Sequence, residues 1–268
     1  MRKLSPRFIS FHDSIVSEME SVEGFLAPWE IQFLALLAAY PTTEGEILEI
    51  GSFKGKSTVV LAKANRFVNS GTVHAVDPMT SPAESDPDVE EGGKTLADFE
   101  ATIAAHGVAD DIRLYQMRSK ELAKQWNKQL RLLWIDGDHS YAGVKEDFDC
   151  FRPQLADRAI VAIHDVLHEF DGCLRVFMEE ILLSRHFGPC GLVGSIGWAQ
   201  FHANEGESEP YIRDKLSLYK RLSRLLPYVA FGNKPKGLEK KKYKVLRSRI
   251  PRRPVRPDEW IAKIKDHI

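Results

Sequence analysis

Cysteine is scarce in this chain: three residues of 268, Cys150, Cys173 and Cys190. They are odd in number and widely spaced, and none forms a CxxC pair. That excludes a disulfide framework and the common zinc spacings, and it suits reduced thiols in the cytoplasm. Long apolar runs are missing too, so no segment reads as a bilayer span. The opening MRKLSPRF lacks the apolar core of a signal peptide. Internal repeats are absent, which excludes a solenoid. Net charge is nearly absent at −1, so the overall balance selects no partner. What remains, 43% hydrophobic and 28% charged residues, is the composition of a soluble globular protein.

The charge is unevenly spread. Residues 234–256 hold eleven Lys/Arg and one acid, Glu239. A basic C-terminal segment on an acidic body predicts contact with a polyanion or with an anionic membrane surface, peripherally. A solvated basic tail is the alternative. Prolines at 235, 251, 254 and 257 argue against regular structure there.

Residues 46–58, EILEIGSFKGKST, organise the rest. Ile47, Leu48 and Ile50 read as a strand buried on both faces. Gly51 and Gly55 permit a sharp turn and close approach to backbone. Ser57 and Thr58 open a helix whose free N–H groups face the turn. Such a strand–turn–helix unit cradles a nucleotide or cofactor in an α/β sheet. A P-loop needs four residues between its glycine and Gly-Lys-Ser, and here there are three. A dinucleotide fingerprint needs a glycine where Glu49 stands. A carboxylate in the turn repels pyrophosphate and attracts an ammonium. This favours S-adenosylmethionine over ATP or NAD; a plain helix–sheet turn with a surface Glu is the alternative.

Taken in order, the chain predicts an N-terminal helical pair over residues 5–22 and from Pro28 to Pro41. It caps a sheet or walls a substrate site, as a unit of residues 1–41. Strands follow at residues 72–76, 112–116, 131–135 and 159–163, with an antiparallel pair at 191–195 and 198–201. Helices fall between them, including residues 94–105. Residues 42–203 form the central unit. Leu216, Tyr219, Leu222 and Leu226 stripe a further helix in a C-terminal unit, 204–268. Residues 78–93, with three prolines, two glycines and five acids, read as a lid-type or disordered loop.

Four strands end in polar groups: Glu49, Asp77, Asp136 and the pair His164-Asp165. In an open parallel sheet these ends share the carboxyl edge, where ligands bind. Asp77 there suits a ribose diol, although Asp-Pro also starts turns. Ser119 sits where an adenine can be held.

The segments VEGFLAPWE, ILEIGSFKGKSTVVLA, GTVHAVDP, LLWIDGDHSYAGVKEDF and AIHDV occur in order across residues 22–203. On them the chain resembles the class I S-adenosylmethionine-dependent methyltransferases. The branch most similar is that of small bacterial O-methyltransferases acting on sugars and natural products. The resemblance implies a Rossmann-like, seven-stranded sheet ending in an antiparallel hairpin, with helices on both faces. It implies S-adenosylmethionine as cofactor, held by Glu49, Gly51, Ser52, Gly55, Ser57, Asp77, Ser119 and Asp136. It implies a hydroxyl acceptor on a small molecule or glycan, and leaves a homo-oligomer open. Several relatives use a divalent metal such as Mg2+, which places Asp136, His164 and Asp165 as ligands. His164 departs from the carboxylate usual there, and magnesium prefers oxygen.

Methyl transfer to a hydroxyl needs positioning and removal of a proton. His139, three residues beyond Asp136, is the expected base, with Asp136 and His164 beside it; capping the next helix is the alternative for His139. A non-catalytic S-adenosylmethionine-binding or accessory protein is the rival reading, and a P-loop-like kinase a more distant one.

Overall fold

The structure is a computed structural model that describes residues 4–68, 71–80 and 95–265. Strand β1 (Glu46–Ile50) lies mid-sheet, hydrogen-bonded in parallel to β2 (Val73–Val76) and β4 (Leu130–Ile135). With β3 (Ile112–Tyr115), β5 (Leu155–Ile163), β6 (Phe187–Val193) and β7 (Ile196–Phe201), the order is β3-β2-β1-β4-β5-β7-β6. β7 runs antiparallel to β5 and β6, so the far edge is a hairpin. This is the sheet the sequence predicts. All of β2 and β4 is buried, and all of β1 beyond Glu46, because helices cover both faces.

One face packs α1 (Pro6–Glu18), α2 (Pro28–Ala39) and α3 (Lys56–Asn65). α2 is apolar all round and buried along most of its length, as a central helix must be. The other face packs α6 (Tyr141–Phe151), α7 (Asp171–Val176, continuing as a π-helical turn to Leu182) and α8 (Ile212–Leu222). α4 (Thr95–Ala105) packs Phe99 and Leu96 toward Ile112 and Leu114 of β3, and the short α5 (Ser119–Ala123) packs beside α6 on the second core. The expected loop at 78–93 lies outside the described residues from 81 onward.

Two expectations for the C-terminal part are corrected. Leu216 of α8 is half-exposed, while Leu222 is buried and Tyr219 and Leu226 pack partly buried against the second core. The basic segment is not irregular: after short α9 (Leu226–Val229), α10 runs Gly237–Ser248. Its prolines bracket this helix and do not interrupt it. Tyr243 is sealed in the second core, its hydroxyl 3.0 Å from the Leu167 carbonyl. α11 (Pro257–Lys265) follows, and its Trp260 enters the first core against Phe33 and Trp198. The terminal segments therefore pack into the same two cores as the central sheet.

Candidate active site

The sheet's hydrogen bonds run one residue past the strands. Gly51 N–H donates to Val76 O at 3.0 Å, Asp136 N–H to Ile50 O at 2.8 Å, and His164 N–H to Ile135 O at 2.9 Å. Gly51, Asp77, Asp136 and His164 are thereby set side by side on one edge. Gly51 has φ +84°, and a Cβ there would strike the Asp136 carbonyl, so only glycine fits. A cavity of about 1240 Å³ opens along this edge. Its wall runs from Asp77 and Ser119 past Asp136 and His139 to Ser195 and Arg252. One ligand usually needs roughly 300–1,000 Å³, so there is room for two.

At the glycine-turn end, the Asp77 carboxylate accepts Ser52 N–H (2.8 Å) and Phe53 N–H (3.0 Å) through Oδ2, and Met79 N–H (2.6 Å) through Oδ1. It fixes the turn, yet each carboxylate oxygen keeps accepting capacity. Ser119 donates its hydroxyl to Asp147 at 2.5 Å. Burial pushes the Asp147 carboxyl up to about 7, with the Ser119 bond pulling partly back. Gly55, Ser52 and Ser57 sit where the sequence places them, in the turn and the first turn of α3.

Glu49 corrects an expectation. It is 0% exposed and stands behind the turn, not on the cavity wall. Its Oε2 accepts the hydroxyls of Ser52 (3.1 Å) and Thr58 (2.5 Å), while Oε1 has no hydrogen-bond partner. Burial raises its carboxyl to about 7, against the pull of the Ser57, Thr58 and Ser52 hydroxyls. Its first effect in the chain is to shape the turn.

At the middle of the edge, Asp136, His139 and Asp165 come together, with ligand atoms all within 4.8 Å of one another. His139 Nε2 lies 3.7 Å from Asp136 Oδ1 and 3.5 Å from Asp165 Oδ2. Its ring stacks on Phe170 at 4.5 Å.

His164 is placed differently from the sequence expectation. It is 3% exposed and lies 3.0 Å from Asp136 Oδ1, 3.5 Å from Asp165 Oδ1 and 3.5 Å from Glu30 Oε2. Burial opposes its charge, but the carboxylates of Asp136 and Asp165 outweigh burial and hold its pKa well above the usual value. A ring charged in this way has no lone pair for a proton or a metal. The three side chains whose ligand atoms converge are Asp136, His139 and Asp165, so His139 stands where the sequence expectation put His164, and His164 sits behind them between Asp136 and Glu30. For Asp136, burial also works against ionisation; His164 and His139 overcome it and hold the carboxyl below its usual range.

Sequence reasoning missed Glu30. It caps α2 by accepting Ala27 N–H at 2.8 Å. Its other oxygen accepts the backbone N–H (2.5 Å) and hydroxyl (2.8 Å) of Ser195, at the β6–β7 turn. Burial would raise its carboxyl, yet His164 and these donors hold it low. The Pro at the first helical position followed by Glu two residues later was the available signal. Asp147, Arg247 and Arg252 also line the cavity and carried no local signal.

Residues 48–166 match the family described as a methyltransferase domain. The O-methyltransferase TomG of Streptomyces achromogenes, solved with S-adenosylmethionine, is similar at TM-score 0.52 and 17% identity, over 75% of this chain and 92% of that one. The O-methyltransferase of Bacillus cereus, in complex with S-adenosylhomocysteine, is similar at TM-score 0.50 and 16% identity, over 74% and 92%. The shared fold is that of the class I methyltransferases.

Proposed function

We propose that this chain, whose residues 48–166 match the methyltransferase-domain family, moves the methyl group of S-adenosylmethionine to a hydroxyl of a small molecule. One observation carries the reading. A cavity large enough for two ligands joins a glycine turn at one end to Asp136, His139 and Asp165 at its middle. The turn, Asp77 and Ser119 hold the cofactor; Asp77 takes the ribose diol while keeping its backbone bonds. S-adenosylmethionine supplies the sulfonium-bound methyl group. His139 receives the acceptor's proton, and Asp136 and Asp165 stabilise the imidazolium that results. Phe170 holds the ring flat.

Metal assistance is a second reading, favoured by the tight donor set of two carboxylates and one imidazole. Asp136, His139 and Asp165 would hold a divalent cation, which lowers the pKa of a bound hydroxyl. Calorimetric titration with Mn2+ or Mg2+ tests it directly; Asp165→Ala abolishes binding if the set is a metal site. As to location, none of the three cysteines is in a disulfide, which suits the cytoplasm. Among the described residues no helix is long and apolar enough to cross a membrane. The exposed lysines of α10 remain available for an anionic surface, glycan or membrane.

Titration with S-adenosylhomocysteine and ATP tests the main reading. The first binds and the second does not. A chain that binds ATP, or neither compound, rejects it. A chain that binds S-adenosylhomocysteine but methylates no hydroxyl acceptor is the accessory protein instead.

A further inference from the structure

The basic segment turns two of its arginines inward. Arg247, on α10, and Arg252, just beyond it, both line the cavity. Two contacts hold them there. Tyr243, one turn before Arg247, places its hydroxyl 3.0 Å from Leu167 O and 2.5 Å from His168 O. Gly194, in the β6–β7 turn, directs its N–H to Arg252 O at 3.4 Å. The first anchor is in the loop after β5, just beyond Asp165, and the second in the hairpin beside it, so both lie on the β5–β7 side of the sheet and away from the glycine turn of β1. The glycine turn and Asp77 serve the cofactor, so the hairpin end is left to the acceptor.

Neither guanidinium has a carboxylate within 4.0 Å among the described residues. Elsewhere the chain does pair such groups: Arg66 with Asp111, Arg175 with Asp171 and Glu179. Arg247 Nε is buried without a hydrogen-bond partner. Leaving a buried donor unmatched is unfavourable unless a ligand meets it. Burial, and then the neighbouring charge of Arg247, hold Arg252 below its ordinary pKa. Glu30 pulls the other way but lies outside ion-pair distance; two half-buried like charges on one cavity wall are a site for an anion.

Resting on the methyltransferase reading, we propose that Arg247 and Arg252 grip an anionic group of the acceptor, a carboxylate or a phosphate ester. The substrate is then a hydroxylated acid or a phosphorylated hydroxy compound rather than a neutral sugar. A guanidinium meets either anion through two parallel N–H bonds. The methyl group goes to a hydroxyl near Asp136 and His139 while the anion stays at the hairpin end.

The test titrates protein preloaded with S-adenosylhomocysteine. The probes are inorganic phosphate, 3,4-dihydroxybenzoate and, as neutral control, catechol. At least one anion binds more tightly than catechol, by roughly tenfold, and which one identifies the group. Arg247→Gln and Arg252→Gln each weaken that anion by about tenfold, and leave catechol, S-adenosylhomocysteine affinity and melting temperature unchanged. Anions that bind no tighter than catechol, or variants that bind them like the parent, overturn the proposal. So does a loss shared equally by catechol, which marks a packing role. Anionic vesicles that compete for both arginines, with neither small anion bound, reassign the pair to a surface. If S-adenosylhomocysteine itself does not bind, the functional reading fails; the titrations then run on the free chain, and the arginine dependence alone decides the grip.

Discussion

His164 shows how one buried charge organises a site. Its ring, its pKa held up by the carboxylates around it, faces Asp136 just past β4, Asp165 of its own turn and Glu30 of α2. Replacing it by neutral glutamine leaves these carboxylates facing one another without a cation. We expect His164→Gln to lower the unfolding free energy by about 3 kcal/mol, read from urea denaturation midpoints. A loss below about 1 kcal/mol, the scale of an ordinary neutral hydrogen bond, would mean the ring is not charged. Asp147 sets a pH dependence of definite sign. Its folded pKa, about 7, lies above the usual carboxylate value, so the folded chain holds this proton longer than the unfolded one. The stability this gives is fully present below about pH 4, the unfolded value, and is lost as pH rises through about 7. Asn accepts from Ser119 but does not ionise. Asp147→Asn should therefore gain on the parent between pH 5 and pH 8, by up to a few kcal/mol. Equal urea midpoint differences at both pH values would contradict the burial argument.

At the scale of elements, what could be read from the sequence was what local pattern decides. Asp136, Asp165 and His139 were legible because a buried strand that ends abruptly in polar residues puts them at its carboxyl end. Glu30 was not, because α2 is apolar on every side and nothing near residue 30 points to a partner 165 positions later. His164 looked like a ligand because its neighbours in space, not in sequence, make it a cation. Helix α10 was misread for a different reason: proline forbids helix only where it stands, and residues 237–248 contain none. The helix is then held by Tyr243. Tyr243→Phe keeps the ring and loses only the hydroxyl's contacts with Leu167 and His168. We expect a loss of about 1 kcal/mol, measured by thermal or urea unfolding, with S-adenosylhomocysteine affinity unchanged. A loss near that of a full core truncation would show that the hydroxyl carries the docking of α10.

Across the whole molecule, the C-terminal segment reaches both faces of the sheet. Tyr243 fills the core under α6 and α7, and Trp260 the core under α2, where its indole N–H meets the Tyr40 carbonyl at 3.2 Å. A basic tail that served only an outer surface could be removed without effect on folding; this one supplies buried aromatics to both cores, so its removal should destabilise the fold. The two anchors also differ in what they carry. Arg247 lies one turn from Tyr243, on the cavity wall, while Trp260 packs away from it against Phe33 and Trp198. Truncating either aromatic to alanine should cost about 3–5 kcal/mol of stability. Below their transition temperatures the variants should diverge. Tyr243→Ala frees α10, so it should weaken binding of the anionic probe while leaving S-adenosylhomocysteine affinity intact. Trp260→Ala should leave both affinities near those of the parent. If Trp260→Ala weakens the anion as strongly as Tyr243→Ala, the whole segment moves as one body and α10 has no separate hold on the site. If neither weakens it, the arginines reach the cavity without help from the core beneath them.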